Sequence, residues 1–192
     1  MSLNKFFITF LIIIFVGIGA YYFARLGYYP VALVNGSMIS ARSLNEEFYL
    51  AYQYYTSVMT SDNKIILESP EFQKDLRRVA LNDLIEKTLI QQELEKRVGN
   101  ELASVADKKI GLNAEDKKNL EDAALALYGV SLADFTKLIL VPKAYREILE
   151  DRLITEKSSL EVWLAGAVQK ANVKILTLDY LWDKDKAGVI LR

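Results

Sequence analysis

The chain of 192 residues contains no cysteine and no histidine. The first absence excludes a disulfide framework, thiol chemistry and a lipid-anchored N-terminus. The second removes the usual imidazole acid–base group and nearly all transition-metal sites. Only three prolines and nine glycines are present, and no Pro-rich or Gly/Ser-rich linker divides the chain. The 24 Lys and Arg nearly cancel the 25 Asp and Glu, so no field favours nucleic acid or an acidic membrane surface. Internal repeats and Gly-rich phosphate loops are also lacking.

What is present begins with an uncharged apolar run, Phe6 to Ala24, bounded by Lys5 and Arg25. At ~1.5 Å per residue it extends about 28 Å, close to the ~30 Å hydrocarbon core of a bilayer. Phe6 and Phe7 at one end and Tyr21, Tyr22, Phe23, Tyr28 and Tyr29 at the other match an interfacial aromatic belt. Gly17 and Gly19 offer the small residues of a signal-peptide cut site. The run continues past them, however, beyond the ~7–15 residues of a signal core. Residues 1–25 are therefore expected to be an uncleaved transmembrane signal anchor, with the short N-terminal stub cytoplasmic and the domain outside, at the periplasmic face.

Residues 26–182 read as one mainly helical domain, and 183–192 as a dispensable tail. Ser43-Leu-Asn-Glu46 predicts a capping box opening a helix with Leu44, Phe48, Ala51, Tyr55 and Val58 along its apolar side, fading near Thr60–Asn63. Ser69-Pro70-Glu71 starts the longest helix, Phe72 to Val98, closed by Gly99. Its two ridges, Leu76/Ala80/Leu84 and Leu81/Ile85/Leu89, make it the expected hub. Asn113 caps a helix from Ala114 to Tyr128 that stops at Gly129. Ser131-Leu-Ala-Asp134 opens a short helix ending before Pro142, which starts another. Ser158-Ser-Leu-Glu161 opens a last helix to about Ala171.

Two strand candidates bracket this array, Val31–Asn35 and Val173–Leu178. Lone strands leave their amides unpaired, so the two are expected to pair with each other. Asn35-Gly36 also predicts a local hairpin of Ala32–Val34 against Met38–Ile39. Both together give a small β patch formed by the first and last strands.

These residues resemble a known family. The apolar anchor, then Val31-Ala-Leu-Val-Asn-Gly-Ser-Met-Ile-Ser40, then Ser43-Leu-Asn-Glu-Glu-Phe48 resemble the N-terminal domain of SurA/PpiD/PrsA-type chaperones. Leu81-Asn-Asp-Leu-Ile-Glu through Leu94 is similar to the family's second-helix pattern. Trp163-Leu through Ala171-Asn-Val-Lys-Ile175 is similar to its returning helix and strand. The family's parvulin prolyl-isomerase module would fall before that last helix, where Tyr145 to Trp163 leaves no room, and its site uses histidines. The resemblance thus implies a chaperone-like part without isomerase activity.

Other chemistry finds little support. Glu46-Glu47, Glu115-Asp116 and Glu121-Asp122 sit in first turns or on polar faces, where capping and solubility explain them. Asp179, Asp183 and Asp185 lack the glycine and terminal glutamate of a calcium loop. Ser40 and Ser43 have no activating base nearby in any pattern. No catalytic residue, metal site or cofactor is expected.

One cluster suits binding: Tyr49, Tyr52 and Tyr54, with Tyr55 beside them and Met59 beyond. Rigid amphipathic rings and an adaptable thioether suit tolerant capture of peptide. The plainer alternative places Tyr55 in the core with the others covering its margin. The expected function is a membrane-anchored, extracytoplasmic chaperone-like protein that holds unfolded or nascent polypeptides without catalysis. The alternatives are a scaffold subunit of a membrane complex with one fixed partner, or a degenerate isomerase relative served by a separate catalytic subunit.

Overall fold

The computed structural model describes residues 3–60 and 64–192. An apolar helix, α1 (Leu3–Arg25), leads into a hairpin, β1 (Pro30–Val34) and β2 (Ser37–Ser40), and then α2 (Ala41–Val58). A single turn, α3 (Lys64–Leu67), precedes α4 (Pro70–Val98), followed by α5 (Leu102–Ile110) and α6 (Ala114–Tyr128). The short α7 (Leu132–Phe135) runs through a π turn into α8 (Val141–Thr155), then α9 (Leu160–Lys170). Three short strands close the chain: β3 (Val173–Ile175), β4 (Tyr180–Asp183) and β5 (Gly188–Leu191).

Among the described residues no single helix is long and apolar enough to cross a membrane. Side-chain placements before Thr9, including Phe6 and Phe7 of the expected aromatic belt, lie outside the described residues.

Both expected strand pairings form. β1 is central in a three-stranded antiparallel sheet of order β2-β1-β3. Ala32 stands opposite Ile39 on one side and Ile175 on the other, and Val34 opposite Ser37 and Val173. Asn35 and Gly36 turn the hairpin with positive φ values of 51° and 89°, a conformation open to asparagine and glycine but costly for most side chains. The Asn35 side chain and amide tie the turn down. Asn35 N–H donates to the Asn172 carbonyl at 3.0 Å, and Asn172 N–H donates to Asn35 Oδ1 at 2.9 Å. Gln92 on α4 accepts from Asn35 Nδ2 and donates to the Val34 carbonyl and Ser37 Oγ.

α4 is the hub around which the rest packs. Ala80, Leu81, Ile85 and Leu89 face a first core with β1, β2, β3 and the C-terminal hairpin. Ile90 and Leu94 face a second core with α5, α8 and α9, and Trp163 touches both.

Several boundaries differ from the sequence expectation, each for a local reason. α2 begins at Ala41 rather than after Ser43, because β2 runs directly into it and Ser40 Oγ accepts from Ser43 N–H at 3.0 Å. Glu46 does not reach back to a cap but accepts from Arg42 Nε at 2.8 Å. α9 is capped by Ser159 instead of Ser158, whose N–H is consumed closing α8 onto the Leu153 carbonyl. Pro142 sits in the first turn of α8, as expected, but no break precedes it. The preceding π turn, in which Val141 N–H reaches the Thr136 carbonyl, widens the backbone where proline's ring and missing donor would otherwise break it. α5 is not among the helices expected from the sequence, although Leu102 and Ala106 at helical spacing, with Gly111 as left-handed stop, carry the signal.

The final ten residues, expected as a tail, hold the return strand of a hairpin. β4 and β5 pair from Tyr180↔Leu191 to Asp183↔Gly188, and Tyr180 and Val189 are buried in the first core. Arg78 donates to the Val189 carbonyl at 3.1 Å, and Val189 N–H donates to Asn82 Oδ1 at 3.3 Å. A sequence of lysine and aspartate ending in Ala-Gly-Val-Ile-Leu-Arg has no alternation long enough to announce this.

Candidate functional site

The apolar side of α2 changes character along its length. Leu44 and Leu50 are buried, but Tyr55 and Val58 are exposed, because the C-terminal half of the helix overhangs a cleft. The reading of Tyr55 as a core residue is thereby corrected: its ring packs edge-on against Phe72 and lines the opening. The cleft, about 430 Å³, lies between α2, α4 and the passage from the π turn into α8.

One wall is aromatic. Tyr54 stacks on Tyr128 from the end of α6, with ring centroids 5.5 Å apart, and Tyr55 stands beside them. Leu138, Ile139 and Pro142 form the opposite wall, and Leu50 and Ile90 the apolar part of the base. Of the four sequence-predicted residues, Tyr54 alone lines this cleft. Tyr52 turns to stack on Phe48 at 5.9 Å, and Tyr49 lines a separate cavity near the end of α1. Met59 is the half-buried C-cap of α2 and lines neither. Tyr52 stands three residues from Tyr49 and seven from Met59, at helical spacing, whereas Tyr54 is two from Tyr52 and five from the other two and so faces elsewhere. Tyr128 and the Leu138–Pro142 wall come from distant segments, and no pattern local to α2 points to them.

The remainder of the base is charged. Lys87 Nζ lies 2.8 Å from Glu47 Oε1 and 2.7 Å from Asp83 Oδ2. One ammonium is thus shared between two carboxylates, and the two partners respond differently. For Lys87, burial favours the neutral form, but Glu47 and Asp83 outweigh it and hold the group above its ordinary value. For Glu47, burial pushes the carboxyl up, Lys87 offsets only part of that, and Asp83 adds to it. The ammonium stays charged and saturated, so it offers no free nucleophile. Among the described residues no group of three or more metal-ligating side chains converges on an ion position. The arrangement is suited to holding something by contact.

Glu86, on the same face of α4, is also pushed up, first by burial and then by Asp83, with Arg146 and the Asn82 amide recovering part. A carboxyl raised on folding binds more protons in the folded chain, so its contribution to stability is present at low pH and lost as pH rises through the folded value. Glu86→Gln keeps an acceptor for Asn82 and removes the ionisation. Urea unfolding is expected to find this variant more stable than the parent at pH above about 7, with the advantage vanishing below about 4. A difference that does not change with pH would refute this account of Glu86.

No curated protein and no solved structure matches the chain. A family model for the SurA-like N-terminal domain matches residues 2–98, about half of the chain, from α1 to the end of α4. That stretch contains the Asn35-Gly36 hairpin, α2 with its tyrosines and the whole hub helix, and the chain belongs to the SurA-like N-terminal domain family.

Proposed function

We propose that this is a membrane-anchored, extracytoplasmic chaperone-like protein that holds unfolded or translocating polypeptides without catalysis. The observation that carries this reading is the cleft of Tyr54, Tyr55 and Tyr128 facing Leu138, Ile139 and Pro142. Its facing walls are apolar and the Lys87 ammonium in its base is already shared by Glu47 and Asp83, which favours holding an occupant through side-chain burial, with Glu86 and Arg146 as the lining charges that make no ion pair among the described residues. That favours many sequences over one. Family membership supports the chaperone assignment, and the join of α8 to α9 through Glu156–Ser159 leaves no inserted module between them. Residues 6–24 provide the anchor, with the carbonate-resistant form retaining Met1–Arg25.

The test is binding of several chemically unfolded polypeptides to the full chain in detergent. Tyr54→Ala removes an aromatic anchor of the kind worth about 2 kcal/mol or more, so affinity for each is expected to fall roughly tenfold or more. A photo-crosslinker placed at Tyr54 in native membranes is expected to capture many polypeptides. Binding that ignores Tyr54→Ala rules out the cleft. Capture of one stoichiometric partner replaces the chaperone by the scaffold reading.

A further inference from the structure

The passage from α1 to the domain is a joint and not a tether. α2, like any helix, begins with amide donors that have no partner within the helix. Here the connecting residues supply them: Ala41 N–H donates to the Tyr29 carbonyl at 2.9 Å and Arg42 N–H to the Gly27 carbonyl at 2.8 Å. Gly27 has φ +74°, and a Cβ on it would stand 3.0 Å from the Arg42 nitrogen, so the close approach requires glycine. From the other side the end of α1 is wound into the same turn. Leu26, Gly27 and Tyr28 donate back to the carbonyls of Tyr22, Ala24 and Phe23. The Tyr28 ring packs on Phe23 with centroids 5.4 Å apart, while its hydroxyl accepts from Arg42 Nη1 at 2.6 Å.

At this joint lies a cavity of about 390 Å³, lined by Arg25, Arg42, Asn45, Glu46 and Tyr49. Arg42 is engaged by Glu46. Arg25 makes no ion pair within 4 Å among the described residues. Two guanidiniums against one carboxylate leave a single positive charge, complementary to one phosphate diester. Arg25 is both a wall of this cavity and the last residue of the apolar helix. A guanidinium closing an apolar span settles at the headgroup level, and the exposed rings of Tyr21, Tyr22, Phe23 and Tyr29 around it belong at the same depth.

We propose that the domain docks on the bilayer in one fixed attitude, with the cavity between Arg25 and Arg42 seated on the phosphate of a lipid headgroup. This rests on the anchor reading given above, and the two fail in distinguishable ways. Because the chain has no cysteine, Asn45→Cys creates a unique labelling position in the cavity. The labelled full chain is reconstituted in phosphatidylethanolamine and phosphatidylglycerol vesicles carrying a headgroup nitroxide. Strong quenching of the label is expected. A flexible Gly-Ser insertion between Leu26 and Gly27, which leaves the contacts of Gly27 and Tyr29 with α2 in place, should abolish it. Arg25→Gln, which leaves Arg42 balanced by Glu46, should weaken it. Release of the chain by carbonate overturns anchor and docking together. Retention with weak quenching, or with quenching indifferent to the insertion, overturns the docking alone, and indifference to Arg25→Gln overturns the phosphate seat.

Discussion

Cutting the chain after Ala171 is expected to yield a protein that does not fold or that aggregates on expression. The removed segment contributes β3, which supplies the second hydrogen-bonded edge of β1, and the whole β4–β5 hairpin. It takes Val173, Tyr180 and Val189 from the first core, where they are 8%, 5% and 1% exposed. At about 1.5–3 kcal/mol for each fully buried side chain, their loss comes to about 5–9 kcal/mol. Net stabilities of whole domains are only ~5–15 kcal/mol, so little is left. The Asn172 backbone partner of Asn35 remains at the cut only if the break falls one residue later.

Removing Asp183–Arg192 alone is also costly, contrary to the neutral effect that a tail would give. That cut strips Val189 from the core, deprives Tyr180 and Trp182 of their partners Leu191 and Val189, and removes the Val189 backbone partners of Arg78 Nη1 and Asn82 Oδ1. A loss of about 2–3 kcal/mol corresponds to a melting temperature lower by roughly 5–10 °C for a chain of this size. Circular dichroism melts of the two truncations decide the matter. A short truncation that melts with the parent would show that the hairpin is an ornament on the core.

The second large effect concerns α4. Leu81 and Leu94 are each 0% exposed, the first in the core under the sheet and the second in the core under α8. Replacing either by alanine removes the transfer energy of the lost methyls and leaves a cavity, together about 2–5 kcal/mol. Thirteen residues of helix separate the two positions by about 20 Å, so the two costs should add to within about 0.5 kcal/mol. Unfolding should remain a single transition in both variants, because one uninterrupted helix carries both cores and Trp163 packs against both. Fluorescence of Trp163 and Trp182, followed with far-ultraviolet circular dichroism, checks this. Two separated transitions in Leu94→Ala would show the cores to be independent.

The helical frame was legible because its signals are local. Ser69, Pro70 and Gly99 bound α4 as read, and Asn113 and Gly129 bound α6, since a cap or a left-handed stop acts over three or four residues. Where two such signals compete, adjacency misleads. Ser40 took the cap from Ser43 because a strand ends there, and Ser159 took it from Ser158 because Lys157, at φ 58°, turns α8 shut. Pro142 marks the first turn of α8 as read, and the wider turn ahead of it joins α7 to that helix without a break.

By itself the sequence determined the order of the main helices, the hub role of α4, the closure of the first strand by a late one and the family. Each rests on short-range chemistry or on the unpaired amides a lone strand cannot leave. Only the tertiary structure decided which tyrosines meet. Periodicity places Tyr49, Tyr52 and Tyr54 on one helix, but Tyr52 packs on Phe48 of that same helix while the neighbours of Tyr54 come from α6, the π turn and α8, dozens of residues away. The same holds for the last hairpin, whose strands are too short to declare themselves and become strands because Val189 and Tyr180 find a core on α4. Burial is a property of what the rest of the chain brings to a position, and a linear pattern carries only half of that information.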